Sequence, residues 1–170
     1  MLIGVMSDTH DNLPAIAKAV ELFNREGVDL VIHCGDYVAP FVKRELSKLK
    51  APMKGVFGNN DGERRGLKEA IGVEDEILEM DVEGIKIAVL HGTDQRVVEA
   101  FVRSQLYDIV IRGHTHRYEI AELGRTILLN PGEVGGYVSG IKSVAFIDTQ
   151  KREIKILNLD TGEPLGFMSI

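Results

Sequence analysis

Two histidines one residue apart, His114 and His116, end the strand-like run Ile111-Arg112-Gly113-His114-Thr115-His116. Imidazole is the commonest metal ligand, and in extended backbone residues i and i+2 project to the same face, so the pair can serve one cation. The spacing alone decides little, because two such histidines also occur by chance at solvent-facing strand ends. All five histidines, however, stand beside Gly or Asp at the end of an apolar run: Asp8-Thr9-His10, His33-Cys34-Gly35-Asp36, His91-Gly92 and the Gly113-His114-Thr115-His116 stretch. Gly58-Asn59-Asn60-Asp61 follows a further apolar segment. Five strand ends each deliver a nitrogen or oxygen donor, and we expect them to converge on one polynuclear metal centre.

Elements of alternating type would position these groups. Residues 1–6 form a short apolar run that suits a buried strand. An amphipathic helix follows, capped by Asp11 or Asn12, with Pro14 in its first turn, Leu13, Ile16, Ala17, Val20 and Phe23 at helical spacing, and Gly27 closing it. A strand over 29–33 completes a strand-helix-strand unit, which implies parallel strands and a right-handed crossover. The unit recurs with a helix over 40–49 and a strand over 53–57. The donors thus collect at the carboxyl ends of parallel strands, where open α/β sheets bind ligands.

From Glu76 the pattern changes. Residues 77–82, the connection Glu83-Gly84 and residues 85–90 read as an antiparallel hairpin that delivers His91. A helix over 95–106, with Val97, Val98, Phe101 and Val102 on its apolar face, precedes a strand over 108–112. Residues 118–123, 126–129, 141–147 and 152–159 alternate as half-buried antiparallel strands do. The expected architecture is two packed sheets with helices outside.

At 170 residues the chain suits a single domain, 1–170. A net charge of −6 disfavours a nucleic-acid partner, which calls for a basic face. The single cysteine, Cys34, rules out an internal disulfide framework and suits a reducing compartment. The first residues lack a basic leader, and no apolar stretch approaches the ~20 residues of a membrane span. The expected location is cytoplasmic, with no membrane partner.

Taken in order, Asp8-x-His10, Gly35-Asp36, Gly58-Asn59-x-Asp61, His91-Gly92 and Gly113-His114-x-His116 resemble the motifs of the calcineurin-like metallophosphoesterase superfamily. The short chain looks like its small YfcE-like phosphodiesterase branch, and Asn130-Pro131-Gly132 resembles a further motif of that branch. The resemblance implies an α/β fold, a four-layer α/β/β/α sandwich of two mixed sheets flanked by helices. It also implies two divalent metal ions, one held by Asp8, His10, Asp36 and His116, the other by Asp36, Asn59, His91 and His114, with Asp36 bridging. Mn²⁺ or Ni²⁺ is expected, and Co²⁺, Fe²⁺, Zn²⁺ and Mg²⁺ also suit mixed nitrogen and oxygen ligands.

Two such ions bring four positive charges against two from Asp8 and Asp36, leaving about two units of positive charge for a phosphate. They also acidify a shared water into a hydroxide nucleophile, so the expected reaction is hydrolysis of a small phosphodiester. A non-catalytic scaffold of the same fold and a nuclease are the alternatives. Each residue has a plainer role open to it. Asp8 and Asp36 suit helix caps, and His10, Asn59 and Asn60 suit turns. His91 suits a surface strand end. His33, inside its strand, reads as a packed histidine that hydrogen-bonds a neighbour, Asp61 as structural, and Asn130-Pro131-Gly132 as a turn beside the site. Two departures from the family pattern matter. Asn60 stands where many members have a histidine thought to assist the leaving group, and an amide is no general acid. Glu133 replaces a common serine, and a carboxylate in the site wall would repel a second phosphate charge. Both favour diesters.

Overall fold

The computed structural model describes residues 1–73 and 75–170. In one sheet β1 (Leu2–Met6), β2 (Leu30–His33) and β3 (Met53–Gly55) run parallel, with Ile3 opposite Leu30 and Val31 opposite Met53. Beyond β1 the sheet continues antiparallel through β9 (Ser143–Asp148), β10 (Glu153–Asn158) and β11 (Pro164–Ser169), giving the order β11-β10-β9-β1-β2-β3. The second sheet has the order β4-β5-β6-β8-β7. It is built from the hairpin β4 (Ile77–Val82) and β5 (Ile85–Leu90), then β6 (Ile109–Ile111), β7 (Tyr118–Leu123) and β8 (Thr126–Pro131). Its centre, β5-β6-β8, is parallel.

Alternation explains the layers. Side chains on one face of each sheet, including Ile3, Val5 and Ile32 from the first and Ile87, Val89, Ile109 and Ile111 from the second, form a shared core between the sheets. The other face of the first sheet packs Val31 and Phe146 against Ile16, Val20 and Phe23 of α1 (Leu13–Glu26). The other face of the second packs Ala88, Val110 and Leu128 against Val98 and Val102 of α4 (Gln95–Ser104). The result is the expected α/β/β/α sandwich. No helix among the described residues is long and apolar enough to cross a membrane.

The caps of α1 act as expected: Asn12 Oδ1 accepts from Ala15 N at 3.2 Å, and Gly27 ends the helix in the left-handed region at φ 67°. Elsewhere the structure departs from the sequence expectations. The helix expected over 40–49 is a 3₁₀ turn, Pro40–Val42, followed by the four-residue α2 (Lys43–Leu46), and no side chain caps either piece. The helix α3 (Arg64–Ile71) was not expected, because it buries only Leu67 and so leaves no periodic apolar signal. The edge strand β11 has no buried residue and is interrupted by Gly166, which hides it equally well. Finally, β8 is not a half-buried antiparallel strand. All six of its residues are buried and it pairs parallel with β6 on one side.

Helix α1 packs tightly on the sheet at Gly4, where a Cβ would stand 2.7 Å from the Phe23 ring. Phe23 in turn meets Phe146 edge-on at 5.5 Å. Gly4→Ala should therefore destabilise the protein by about 1–3 kcal/mol in urea unfolding, through overpacking. Phe23→Leu added to it should recover part of that loss, whereas fully additive losses would show that the ring is not the obstacle.

Candidate metal centre

Every donor singled out from the sequence lies just past the carboxyl end of a strand. Asp8 and His10 follow β1, Asp36 follows β2 and Asn59 lies beyond β3, while His91 follows β5, and His114 and His116 follow β6. Backbone hydrogen bonds join these loops. Asp8 N donates to Gly35 O and His10 N to Asp36 O, both at 3.0 Å, and Gly113 N donates to His91 O at 3.1 Å. Across the sheets, His114 N donates to Asp8 Oδ2 at 3.1 Å. Gly113 permits this approach, since a Cβ there would overlap Ser7 Oγ and Asp8 Oδ2.

His114 reaches Asn59 and His91 while His116 reaches Asp8 and His10, and neither does so through extended backbone. β6 stops at Ile111, and the two histidines have φ of 68° and 60°. Asp8, His10 and Asp36 also have positive φ, at 52°, 43° and 61°. Left-handed backbone costs an L residue free energy, so tertiary contacts must hold these turns. They aim the side chains at one point.

At that point the carboxylates Asp8 and Asp36 are 0% and 1% exposed. Ser7 Oγ and His114 N occupy Asp8 Oδ2, leaving Oδ1 facing His10 Nε2 at 3.7 Å and His116 Nε2 at 3.5 Å. Asp36 Oδ2 lies 3.4 Å from His10 Nε2 and 3.4 Å from His91 Nε2, imidazoles that belong to different sheets. Asn59 Oδ1 is 3.0 Å from both His91 Nε2 and His114 Nδ1. Among the described residues, the buried side-chain N and O atoms without any hydrogen-bond partner are Asp8 Oδ1 and His10 Nε2. Orphaned buried polar atoms are costly, and donors about 3.5 Å apart fit ligands that each reach one cation at about 2.1 Å.

Two triads meet a metal-ligand geometry: Asp8, His10 and His116, and Asp8, Asp36 and His91. Asp8 belongs to both, while Asp36 Oδ2 reaches an imidazole of each. Electrostatics follow. Burial opposes ionisation of Asp36, yet His91 and the hydrogen bonds from Asn60 outweigh it and hold the carboxyl far below its usual range. Asp8 is likewise lowered, with His10, His91, Ser7 and His116 overcoming burial. The Asp8 carboxylate beside it raises His10, Asp36 raises His91 against burial, and burial lowers His114.

The surrounding groups fix orientation. His91 Nδ1 donates to Cys34 O at 2.7 Å, which turns Nε2 toward Asp36. Asp61 Oδ2 accepts from Asp36 N and Gly58 N, and its Oδ1 accepts from Val38 N, so it shapes the loop as expected. Asn60 does more than turn the chain: its Nδ2 donates to Asp36 Oδ2 at 2.7 Å and its backbone N to Asp36 Oδ1 at 2.9 Å. Asn130 Nδ2 donates to Gly113 O and Thr115 Oγ1, bracing the turn between the two histidines. Arg112, which had carried no expected role, is buried and ties Gly92 O, Gly113 O and Gln95 together. Its only sequence signal was a charge at the end of an apolar strand.

Glu133 overturns an expectation. It is not a wall carboxylate facing substrate but a fully buried one. Oε2 accepts from His116 Nδ1 at 2.8 Å and Tyr137 N at 3.0 Å, and Oε1 from Val138 N, Ser139 N and Ser139 Oγ. It directs His116 Nε2 toward Asp8 and gathers the 137–139 loop, and both its oxygens are taken up by those hydrogen bonds rather than presented at the surface of the site.

A family model described as the calcineurin-like phosphoesterase superfamily domain matches residues 1–152. The chain is 43% identical over 166 residues to phosphodiesterase MJ0936 of Methanocaldococcus jannaschii, covering 94% of this chain and 100% of that protein. A solved structure described as a novel archaeal phosphodiesterase superposes with a TM-score of 0.88 at 43% identity, covering 93% of this chain and 99% of the other. The phosphoesterase Yfce from E. coli superposes with a TM-score of 0.80 at 20% identity over 100% of both chains, a likeness of fold.

Two outcomes follow from the hydrogen bonding. Glu133→Gln offers one carbonyl where the carboxylate accepted at both oxygens, so the amides of Tyr137, Val138 and Ser139 should exchange with deuterium at least about tenfold faster. Unchanged protection would mean the loop holds itself. His33 is fully buried, takes a hydrogen bond from Gly35 N on Nδ1, lies 3.1 Å from Thr9 Oγ1 through Nε2, and stacks on Tyr37. Burial holds it down to about 3, below its value of 6.5 in the unfolded chain. The unfolded state therefore takes the proton first, and stability from this group is complete above pH 6.5 and lost as pH falls from there toward 3. In chelator, urea unfolding at pH 7 and pH 5 should show the wild type losing roughly 2 kcal/mol more than His33→Gln. Equal losses would mean that His33 protonates without unfolding.

Proposed function

Because the chain belongs to the calcineurin-like phosphoesterase superfamily, we propose that it is a dinuclear-metal phosphodiesterase acting on small phosphodiesters. One cation would be held by Asp8, His10, Asp36 and His116 and the other by Asp36, Asn59, His91 and His114, all within the single domain 1–170. The observation that carries this is the position of Asp36 Oδ2, 3.4 Å from an imidazole of each sheet, which suits a carboxylate shared by two ions. When bound, two divalent ions supply Lewis-acid charge to the phosphoryl oxygens and acidify water. Mn²⁺ or Ni²⁺ is our first choice, then Co²⁺, Fe²⁺, Zn²⁺ or Mg²⁺. The cytoplasm suits a chain whose one thiol, Cys34, is buried and free.

The residues of the chain divide the remaining work. Ser7 and His114 N hold one oxygen of Asp8, so its other oxygen is presented with a fixed direction. Glu133 and Cys34 O do the same for His116 and His91, leaving each Nε2 to act as the ligand. Asn60 holds Asp36 and has no acidic proton to give a departing alkoxide. Preference for diesters, or for esters with acidic leaving groups, rests on Asn60 alone now that Glu133 is seen to face inward.

The experiment strips the protein with chelator, restores Mn²⁺, Ni²⁺, Co²⁺ or Mg²⁺, and compares bis(p-nitrophenyl) phosphate with p-nitrophenyl phosphate. Diester turnover should exceed monoester turnover by at least about tenfold, and Asp8→Asn and His116→Ala should each lower it by about a hundredfold or more. Equal or faster monoester turnover would remove the role given to Asn60. Diester turnover untouched by both substitutions would remove the centre itself.

A further inference from the structure

Beside the donors a cleft of about 390 Å³ runs outward, with Asn59 and His91 in its inner wall. Its remaining lining is largely apolar. Phe57 and Leu90 line it, while Ile77 and Val97 stand 45% and 40% exposed along it. Apolar lining contiguous with a few convergent polar groups is the usual make-up of a small-ligand pocket. Among the described residues, the charged groups that line the cleft are engaged in ion pairs. Arg64, whose guanidinium lies 4.9 Å over the Phe57 ring, bonds Glu76 through Nη1 at 2.5 Å, and Asp94 bonds Arg96 at 2.6 Å. A second anionic group entering this cleft would find Glu76 and Asp94 and cations already engaged by them.

We propose that this cleft receives one ester arm of the substrate, and that the arm is uncharged and about the size of an aryl ring. The inference rests on the phosphodiesterase reading and narrows it. The preferred substrates are diesters with one bulky, uncharged, largely apolar substituent, rather than diesters with a further phosphate. Continuity sets the occupant: a phosphate held by the donors places its substituents within reach of the cleft, because Asn59 and His91 border both. Phe57 and Arg64 offer a flat floor, and Ile77 and Val97 the sides.

The test uses two diesters that differ only in their arms. Diphenyl phosphate and dimethyl phosphate are titrated calorimetrically into the Mn²⁺-loaded protein, alongside hydrolysis of bis(p-nitrophenyl) phosphate. Burial of a phenyl group should make diphenyl phosphate bind at least about tenfold more tightly. Ile77→Asp and Val97→Asp, both at exposed positions, should close that gap. Equal binding of the two ligands by the wild type, or a gap that survives both substitutions, would overturn the proposal while leaving the phosphodiesterase reading intact. Absence of diester hydrolysis by the loaded wild type would instead overturn that reading, and the proposal with it.

Discussion

Two carboxylates, Asp8 and Asp36, are buried to 0% and 1% exposure, and the architecture around them is what makes that tolerable. An isolated buried carboxylate costs several kcal/mol, and only charge partners and hydrogen bonds offset it. Ser7, His114 N and Asn60 supply the hydrogen bonds, while imidazoles of His10, His91 and His116 supply the partners. The depressed titration of both carboxyl groups against the effect of burial expresses the same balance. Left-handed backbone at Asp8, His10, Asp36, His114 and His116 is the conformational cost of bringing those groups to one place.

The sandwich makes the convergence possible because each sheet keeps a parallel tract, β1-β2-β3 in one and β5-β6-β8 in the other. Strands that run together end together, so loops distant in sequence emerge as neighbours. Packing of the inner faces then brings the two sets of loops across from each other, with Ile3 and Val5 set against Ile87 and Val89 as part of one core. A shift of one sheet against the other would separate Asp36 from His91. Precision at the centre is thus inherited from close packing below it.

Much of this was legible in the sequence wherever a signal was local. The hairpin at Glu83-Gly84 and the capped helix from Asn12 to Gly27 carry their own turn and cap chemistry, and both stand where the sequence places them. The helix at Arg64–Ile71 and the edge strand at Pro164–Ser169 bury too little to leave a pattern. At the centre, residues singled out by type and order lie close to one another, Asp8, His10, Asp36, His91 and His116 through their charged or ring groups and Asn59 beside His91 and His114. Left-handed turns rather than extended backbone carry His114 and His116, and φ cannot be read from spacing. Glu133 was misread because nothing local tells whether a carboxylate after a turn faces out or in. Five donors from residues 116–139 decide that, and they are tertiary facts.

The placement of β1 bears on how the chain comes together as it is synthesised. Although first in sequence, β1 lies inside its sheet, between β2 and β9, and β9 begins only at Ser143. Closing the sheet on that side of β1 therefore depends on a pairing of long sequence separation, of a kind that forms slowly.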